Sequence, residues 1–485
     1  MKILCIQLAR FGDIFMSWPV LKALRREFPQ AEIHGLFRER FAEAAHISGT
    51  LDRIHELPSN KIFSNLFSEN TTDSALMQVE SFLGQMQNEN FDLVLNLSFS
   101  PLSSYLSSAI KTPNTTVYGY QRHSDGFLNL ADDVSRYFYA QVGTHQFNRI
   151  HVTDLMGLLA QVPLIAEDSK FFPTSDQSET LKKYDLLRKD LIAFHLGASE
   201  VHKRLTPEFW RSLILQIKVR CPEFHLVLVG SKDDQLAATM IEKSLHGERI
   251  MNLAGQTTWR DLEDIFAASR LFIGADSGPM HLAGLMQTPV LNLSVGSVNF
   301  WETGPRFAGA HVIRADDEQK IVQSDVLEAT RCLLLGQVPA RGYHYTSGTP
   351  CFTASGNTFE WQLIQAIYLS EPYPSTEKMS FVKAVQDLSE LNDLALEALR
   401  KFRDTKLDFL GPYLDRIYES MNLIGKTDSS VSVFVNWLRA EKCRIPPASP
   451  FEICAGYTEI HQGLRTLLQP YILPKELAEG SISYG

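Results

Sequence analysis

The sequence predicts an α/β protein: two tandem doubly wound domains facing a cleft, followed by a C-terminal helical extension. Three observations carry that prediction. Short apolar runs of strand length alternate with longer stretches of helical periodicity through roughly the first 335 residues, the rhythm of crossover units on a mainly parallel sheet. The chain has 485 residues, 44% of them apolar and 21% charged, more than one core takes up, because single cores stop growing near ~250–300 residues. Beyond residue 341 the texture becomes rich in Gly, Ser, Thr and Tyr and then helical.

The elements follow in order. Ile3, Leu4, Cys5, Ile6 and Leu8 read as a fully buried strand, and Gly12-Asp13 turns into a helical pattern through Val20, Leu21, Leu24 and Phe28. Residues 31–36 and 91–97 are the next strands; 60–90 is polar and helix-prone, and 113–149 is turn-rich without a clear assignment. A stretch with Pro, Ser and Asp, 172–179, reads as an interdomain linker. Strand 191–196 leads to a helix that starts with Thr206 as cap and Pro207 and Glu208 in its first turn. Strand 225–230, helix 236–245 and strand 250–253 come next, then a capping box at Thr258 with Asp261 three residues on. Strand 271–273, a turn into a helix at 276–279 and strand 290–293 complete the second domain. In the extension, Phe381, Val382, Val385, Leu388, Leu391, Leu394 and Leu399 recur at helical spacing with charges between them, and proline-rich breaks at 446–450 and 470–474 divide it. The domain limits read this way are 1–175, 185–340 and 355–485.

Bulk properties exclude several classes. A net charge of −10 gives no basic face for nucleic acid, so no nucleic-acid partner is expected. The six cysteines are dispersed, with no C-x-x-C pair, which points to neither a zinc knuckle nor a disulfide framework and fits a reducing cytoplasm. The apolar N-terminus runs straight into Arg10 and Asp13, too short for a signal segment. No run approaches the ~20 apolar residues of a membrane span.

Open α/β sheets bind ligands beyond the carboxyl ends of their strands, and the loops there carry unusual chemistry. The loop after residue 196 reads Gly197-Ala198-Ser199-Glu200-Val201-His202-Lys203-Arg204: small residues that allow close approach, a hydroxyl, then two cations. The loop after residue 273 places Asp276-Ser277-Gly278-Pro279 ahead of a helix, whose first N–H groups lack partners and whose dipole is positive at that end. Together they describe a phosphate or diphosphate site. Each has a structural reading too: Asp276 or Ser277 as a helix cap, Lys203-Arg204 as a solvated pair. Asp234, after the third strand of this domain, suits a ribose diol or an exposed turn. Asp13 is either a helix N-cap or a carboxylate facing the cleft as a general base. His195 and His202 lack partners at ligand spacing and read as core and surface residues; Trp301 reads as packing or as a sugar contact. "IGKT" at 424–427 is the end of a helix rather than a P-loop, since Ser420 stands where the first glycine belongs.

The segments "LARFGDIFMSWPVLKALRREFP" (8–29), "FHLGASEVHKRLTPEFW" (194–210), "NLAGQTTWRDLEDI" (252–265), "GADSGPMHLAGLMQTPVLNL" (274–293) and "WETGPRF" (301–307) resemble, in order and spacing, the ADP-heptose:lipopolysaccharide heptosyltransferases of glycosyltransferase family 9. "HQFNR" at 145–149 resembles the segment joining that family's halves. The resemblance spans about residues 1–335. It implies a GT-B fold of two Rossmann-like domains, the C-terminal one holding the nucleotide sugar and the N-terminal one the acceptor. By position it makes Asp13 the catalytic base, Ser199 and Lys203 donor-diphosphate contacts, and Asp276, Ser277, Gly278, Pro279 and His281 the donor loop. Thr257 falls near the adenine, and Asp234 replaces a glutamate that holds the ribose. Ser277 stands in for a threonine, and Leu205-Thr206-Pro207 for a tryptophan-proline pair.

The expected activity is therefore inverting transfer of a heptose or related sugar from an ADP-sugar, ADP-heptose by default, to a hydroxyl of lipopolysaccharide core or another bacterial glycan. No cofactor is expected beyond the nucleotide-sugar donor, and with no D-x-D sequence in the chain no metal clamp is expected either. The competing reading is a non-catalytic binding or scaffold protein that works through its helical tail. A protein acceptor recognised by that tail is a further alternative. The expected location is the cytoplasm, with peripheral contact with the inner face of the membrane left open; Arg25, Arg26, Arg38 and Arg40 read either as a basic edge for it or as a solvated helix face.

Overall fold

In the computed structural model, which describes residues 1–66, 72–173, 176–198, 200–245, 249–353, 357–405 and 410–472, the first apolar run becomes the centre of a parallel sheet. Strand β1 (Lys2–Ile6) buries four of its five residues, as a strand covered on both faces must. Helix α1 (Phe11–Glu27) crosses over to β2 (Glu32–Arg38), followed by β3 (Arg53–Leu57), β4 (Leu93–Asn96) and β5 (Thr116–Gly119). The strand order is β3-β2-β1-β4-β5. The 60–90 stretch is helical over Ser59–Leu66 and Thr72–Asn88. Strand β3 was not read from the sequence: Arg53, His55 and Glu56 give it the polar pattern of a half-exposed edge. Within 113–149 the chain makes a small hairpin, β6 (Gln121–Arg122) and β7 (Leu128–Asn129), and helix α2 (Asp133–Gln141).

The second sheet holds β8 (Leu191–His195), β9 (His225–Val229), β10 (Ile250–Asn252), β11 (Ser269–Gly274), β12 (Val290–Val295), β13 (Ala310–Ala315) and β14 (Tyr343–His344). Its order is β10-β9-β8-β11-β12-β13-β14, with β14 alone antiparallel. Helix α3 (Pro207–Arg220) follows β8; its Thr206 hydroxyl accepts from the Phe209 N–H at 3.2 Å, the cap expected. The capping box at Thr258 and Asp261 is formed as well. Helix α4 (Gly278–Leu285) follows β11. The expected linker is replaced in part by a helix, Gln177–Lys183.

One apolar core links the two sheets. Phe15 and Trp18 of α1 pack with Trp259, Phe266 and Met280, and the Phe15 and Trp259 rings are centred 4.9 Å apart. Gly284 faces Phe307 so closely that a Cβ would lie 2.0 Å from the ring. Arg25 and Arg26 serve this body rather than an open basic edge: Arg25 pairs with Asp52, and Arg26 with Asp168 and Glu27.

The chain divides into two units, and the division differs from the limits read from sequence. Both sheets belong to the first, built from Met1–Ser98, Ala109–Tyr118 and Arg149–Ser355. The second takes Phe99–Ser108 and Gly119–Asn148 together with Gly356–Gly485, so residues 1–175 are not one body. The cause is non-local packing, which leaves no periodic trace in a sequence. Arg136 of α2 pairs with Glu441 at 2.9 Å, Gln141 donates to the Tyr368 hydroxyl at 3.2 Å, and His123 Nε2 lies 3.0 Å from the Cys443 carbonyl oxygen. The remaining helices of this unit are Phe359–Leu369, Met379–Thr405, Leu410–Thr427, α5 (Ser432–Lys442) and α6 (Pro450–Leu468). A buried chain of Asn392, His461 and Tyr418 ties three of them, with contacts of 2.6 and 3.0 Å. Lys442 sits over the Tyr418 ring, and burial draws its ammonium down to about 8. Among the described residues no helix is long and apolar enough to cross a membrane.

Candidate active site

In each sheet the first strand lies between neighbours reached in opposite directions, β1 between β2 and β4, β8 between β9 and β11. That is the point where loops part and leave a crevice for a ligand. The loops after β1, β8 and β11 are therefore the structural elements to examine.

The loop after β1 is held rigidly. Gln7 is buried, donating to the Leu97 carbonyl at 3.1 Å and accepting from the Ala9 N–H at 3.2 Å. It delivers the chain into α1 with Arg10 at the cap position and Asp13 as the third helical residue. Asp13 is thus not the N-cap; its carboxylate reaches back to accept from the Arg10 N–H at 3.2 Å. Burial pushes its carboxyl above the usual range, backbone N–H groups oppose this, and the charge of Asp276 adds to the rise.

Across from it, Lys203 Nζ donates to Asp276 Oδ2 at 2.9 Å. Burial disfavours that ammonium, but Asp276 outweighs it and the net shift is upward. Ser277 occupies the cap position of α4 without capping it. Its Oγ instead lies 3.0 Å from His195 Nδ1 and 3.1 Å from the Ala275 carbonyl oxygen. A hydroxyl has one proton; given to Ala275, it leaves the oxygen to accept from His195, which is then the Nδ1–H tautomer. Burial holds His195 down to about 4, so it is neutral near pH 7. The result is a helix start, positive by its dipole, from which the nearest hydroxyl has been drawn aside.

The two helix starts meet almost backbone to backbone. A Cβ on Gly12 would lie 3.4 Å from the His281 ring and 3.9 Å from Gly278 Cα; one on Gly278 would lie 3.2 Å from both Phe11 and Trp259. Arg10 Nη1 and Glu200 Oε1, 2.8 Å apart, join the loops after β1 and β8. Behind this contact is a cavity of about 20 Å³, lined by Met16, His151, Thr153, His281 and Arg306 among others, room for about one water. His281 is buried and held down to about 4, and Arg306 is fixed by Asp154 at 2.6 and 3.1 Å.

The structure therefore brings Asp13, Lys203, Asp276, Ser277, Gly278, Pro279 and His281 to one place. Ser199 lies outside the described residues. Asp234 is buried and uses Oδ2 to accept from the Ser231 N–H at 2.8 Å and hydroxyl at 2.7 Å. It also packs on Gly197, where a Cβ would come within 2.6 Å of its oxygens. Thr257 is half-buried in the loop after β10, which Gly255 pins to the loop after β9 through a 2.9 Å bond to Gly230. Trp301 is buried under the Arg149 guanidinium, 4.3 Å from the ring centre, and serves packing. His195 and the Arg10–Glu200 pair were missed: a histidine ending a buried strand looks like core, and a contact spanning 190 positions has no sequence signal.

A family profile described as glycosyltransferase family 9 (heptosyltransferase) matches residues 79–328. The chain is 22% identical over 298 residues to lipopolysaccharide heptosyltransferase 3 of Escherichia coli K12, covering 58% of this chain and 79% of that one. It is 24% identical over 311 residues to lipopolysaccharide heptosyltransferase 1 of Campylobacter coli, covering 60% and 83%. Among solved structures, E. coli ADP-heptose lps heptosyltransferase II superposes with TM-score 0.51 at 22% identity, over 69% of this chain and 99% of that one. The family 9 glycosyltransferase of Veillonella parvula DSM 2008 does so with TM-score 0.53 at 18% identity, over 69% and 98%. The two-sheet GT-B architecture expected from the sequence is thus borne out.

Proposed function

The chain belongs to glycosyltransferase family 9, and from that premise we propose that it transfers a heptose or related sugar from an ADP-sugar to a hydroxyl of a bacterial glycan, lipopolysaccharide core first among them, with inversion. The observation that carries this reading is the convergence of a desolvated carboxylate, Asp13, with the Lys203–Asp276 pair and the uncapped start of α4.

In the proposed reaction Asp13 takes the proton from the acceptor hydroxyl as its oxygen attacks the anomeric carbon. The bond from that carbon to the diphosphate oxygen breaks on the opposite face, which inverts the configuration, and ADP departs with the electron pair. A raised carboxyl makes Asp13 a better base than an exposed aspartate, because efficiency improves as the pKa approaches the working pH. Lys203 and the α4 start meet the charge that develops on the leaving diphosphate, and donors fixed in advance cost no reorganisation. Asp276 positions the ammonium; His195 positions Ser277. Ser199, Asp234, Thr257, Pro279 and His281 are assigned to the donor side with the rest of these loops, and the enzyme acts from the cytoplasmic side of the membrane.

The test is mass spectrometry of products formed from a panel of nucleotide sugars and delipidated core acceptors, with Asp13→Asn beside the wild type. A heptose-sized mass gain from ADP-heptose that Asp13→Asn reduces at least a thousandfold, with ADP affinity retained, is the expected result. Neither transfer nor donor hydrolysis by the wild type, despite ADP binding, overturns the reading in favour of a scaffold.

A further inference from the structure

The second unit contains a groove of about 700 Å³ between the β6–β7 hairpin, the segment after α5 and one face of α6. Its size is within the ~300–1,000 Å³ of small-molecule sites. Nothing in the proposed transfer uses it, so the question is what its lining would recognise.

The charges can be followed one at a time. The Arg136 guanidinium is spent inside the protein, on Asp133, on Glu441 at 2.9 Å, and on the Leu130 and Ala131 carbonyls at 3.2 and 3.1 Å. Arg444 gives its Nε to Glu441 at 3.2 Å, which leaves its terminal nitrogens to the groove. Glu452 uses Oε2 to cap α6 through Ser449, and Glu459, exposed one turn beyond Gly456, has no protein partner among the described residues. The lining holds two guanidiniums and two carboxylates, Glu452 and Glu459, and with Asp133 and Glu441 paired to the guanidiniums behind it the surroundings carry four carboxylates against two guanidiniums. That balance favours a neutral or cationic ligand over a phosphorylated or carboxylated one. His123 donates Nε2–H to the Cys443 carbonyl at 3.0 Å, so in the neutral ring Nδ1 is an acceptor, as are Glu452 Oε1 and the two Glu459 oxygens. Acceptors outnumber the donors that Arg444 and the Asn129 amide supply, so the lining fits a ligand that donates more than it accepts.

The floor adds a second requirement. Gly456 lies under Ile445, where a Cβ would be 3.3 Å from the Ile445 terminal carbon, and Pro446, Ala448 and Ala131 extend this apolar strip. Polar groups around an apolar strip match the alternating hydroxyl edges and C–H faces of sugar rings. We propose that this groove binds an oligosaccharide, neutral or amine-bearing and free of phosphate, at a site separate from donor binding. The inference rests on the reading of the protein as a glycan-handling enzyme.

The experiment is calorimetric titration of the full chain with three saccharide probes, maltotetraose, the glucosamine tetramer and core oligosaccharide stripped of lipid and phosphate, and with two controls, the phosphorylated core and tetralysine. At least one saccharide should bind, equally well with and without saturating ADP. Glu459→Ala should weaken it at least tenfold and Ala131→Trp, which fills the groove from an exposed position, should abolish it, while both variants keep wild-type ADP affinity and far-UV circular dichroism. Binding by none of the three, binding unaffected by both variants, preference for the phosphorylated core, or binding of tetralysine in place of every saccharide overturns the proposal. ADP-sugar turnover measured on the same samples reports separately on the transferase reading.

Discussion

Replacing Lys203 by Met separates the two jobs its ammonium holds. Nζ lies 2.9 Å from Asp276 Oδ2, and the side chains are only 21% and 8% exposed. At an effective dielectric near 20, charges at that separation attract by roughly 5–6 kcal/mol before desolvation is counted, and stripping one partner from a buried pair costs roughly 3–5 kcal/mol. In the variant, Asp276 is left as an unmatched carboxylate facing the diphosphate. ADP affinity should fall, and kcat should fall by about 10²–10³, the size of losing one preorganised donor to a developing negative charge. Adding Asp276→Asn removes the repulsion. The double variant should recover ADP affinity, measured by calorimetry, without recovering kcat, measured by ADP release. If Lys203→Met keeps kcat within about threefold, or if Asp276→Asn restores it, then Lys203 merely neutralises Asp276 and takes no part in leaving-group departure.

Other expectations follow from the same geometry. His195→Ala frees the Ser277 hydroxyl to swing onto the α4 start and should raise the donor KM more than it lowers kcat, with His195→Asn partly rescuing; a pure stability loss with unchanged KM counts against it. Gly284→Ala forces a methyl to within 2.0 Å of the Phe307 ring and should destabilise the protein by roughly 1–3 kcal/mol, seen as a lower urea midpoint. His195 and His281 are held near 4, against ~6.5 in an unfolded chain. The unfolded state therefore binds more protons between those values, and stability should drop by up to ~1.4 kcal/mol per pH unit per imidazole as pH falls from ~6.5 towards 4; a denaturation midpoint flat over that window refutes the assignment. On the kinetic side, the acid limb of kcat/KM should sit above the ordinary aspartate range, because the Asp13 carboxyl is raised, and it should vanish in Asp13→Asn.

What was legible in the sequence was what is local. Strand β8 and the 271–273 stretch of β11 are buried and show as apolar runs, and Thr206 and Thr258 announce their helices through the chemistry of the cap itself. The loops after β8 and β11 were found because strand exits are where ligand chemistry collects in this kind of sheet. Edge strand β3 escaped notice because its charges imitate a loop, and β14 because two residues carry no pattern. Asp13 was recognised by type, but its place three residues into α1 depends on Arg10 taking the cap, a choice made by the incoming loop. The role of His195 needed the third dimension, as did the assignment of 119–148 to the helical unit.

That last assignment has a consequence for how the protein is made. His123 contacts Cys443, 320 positions later, and at roughly 5–20 residues per second a ribosome needs about 16–64 s to deliver the second partner after the first. Throughout that interval the apolar side of α2 and the β6–β7 hairpin lacks the cover that Tyr368, Ala440 and Cys443 give it. Synthesis is thus the period of greatest exposure for this chain, and a nascent polypeptide stalled between residues 150 and 430 carries a sticky surface that the finished protein conceals.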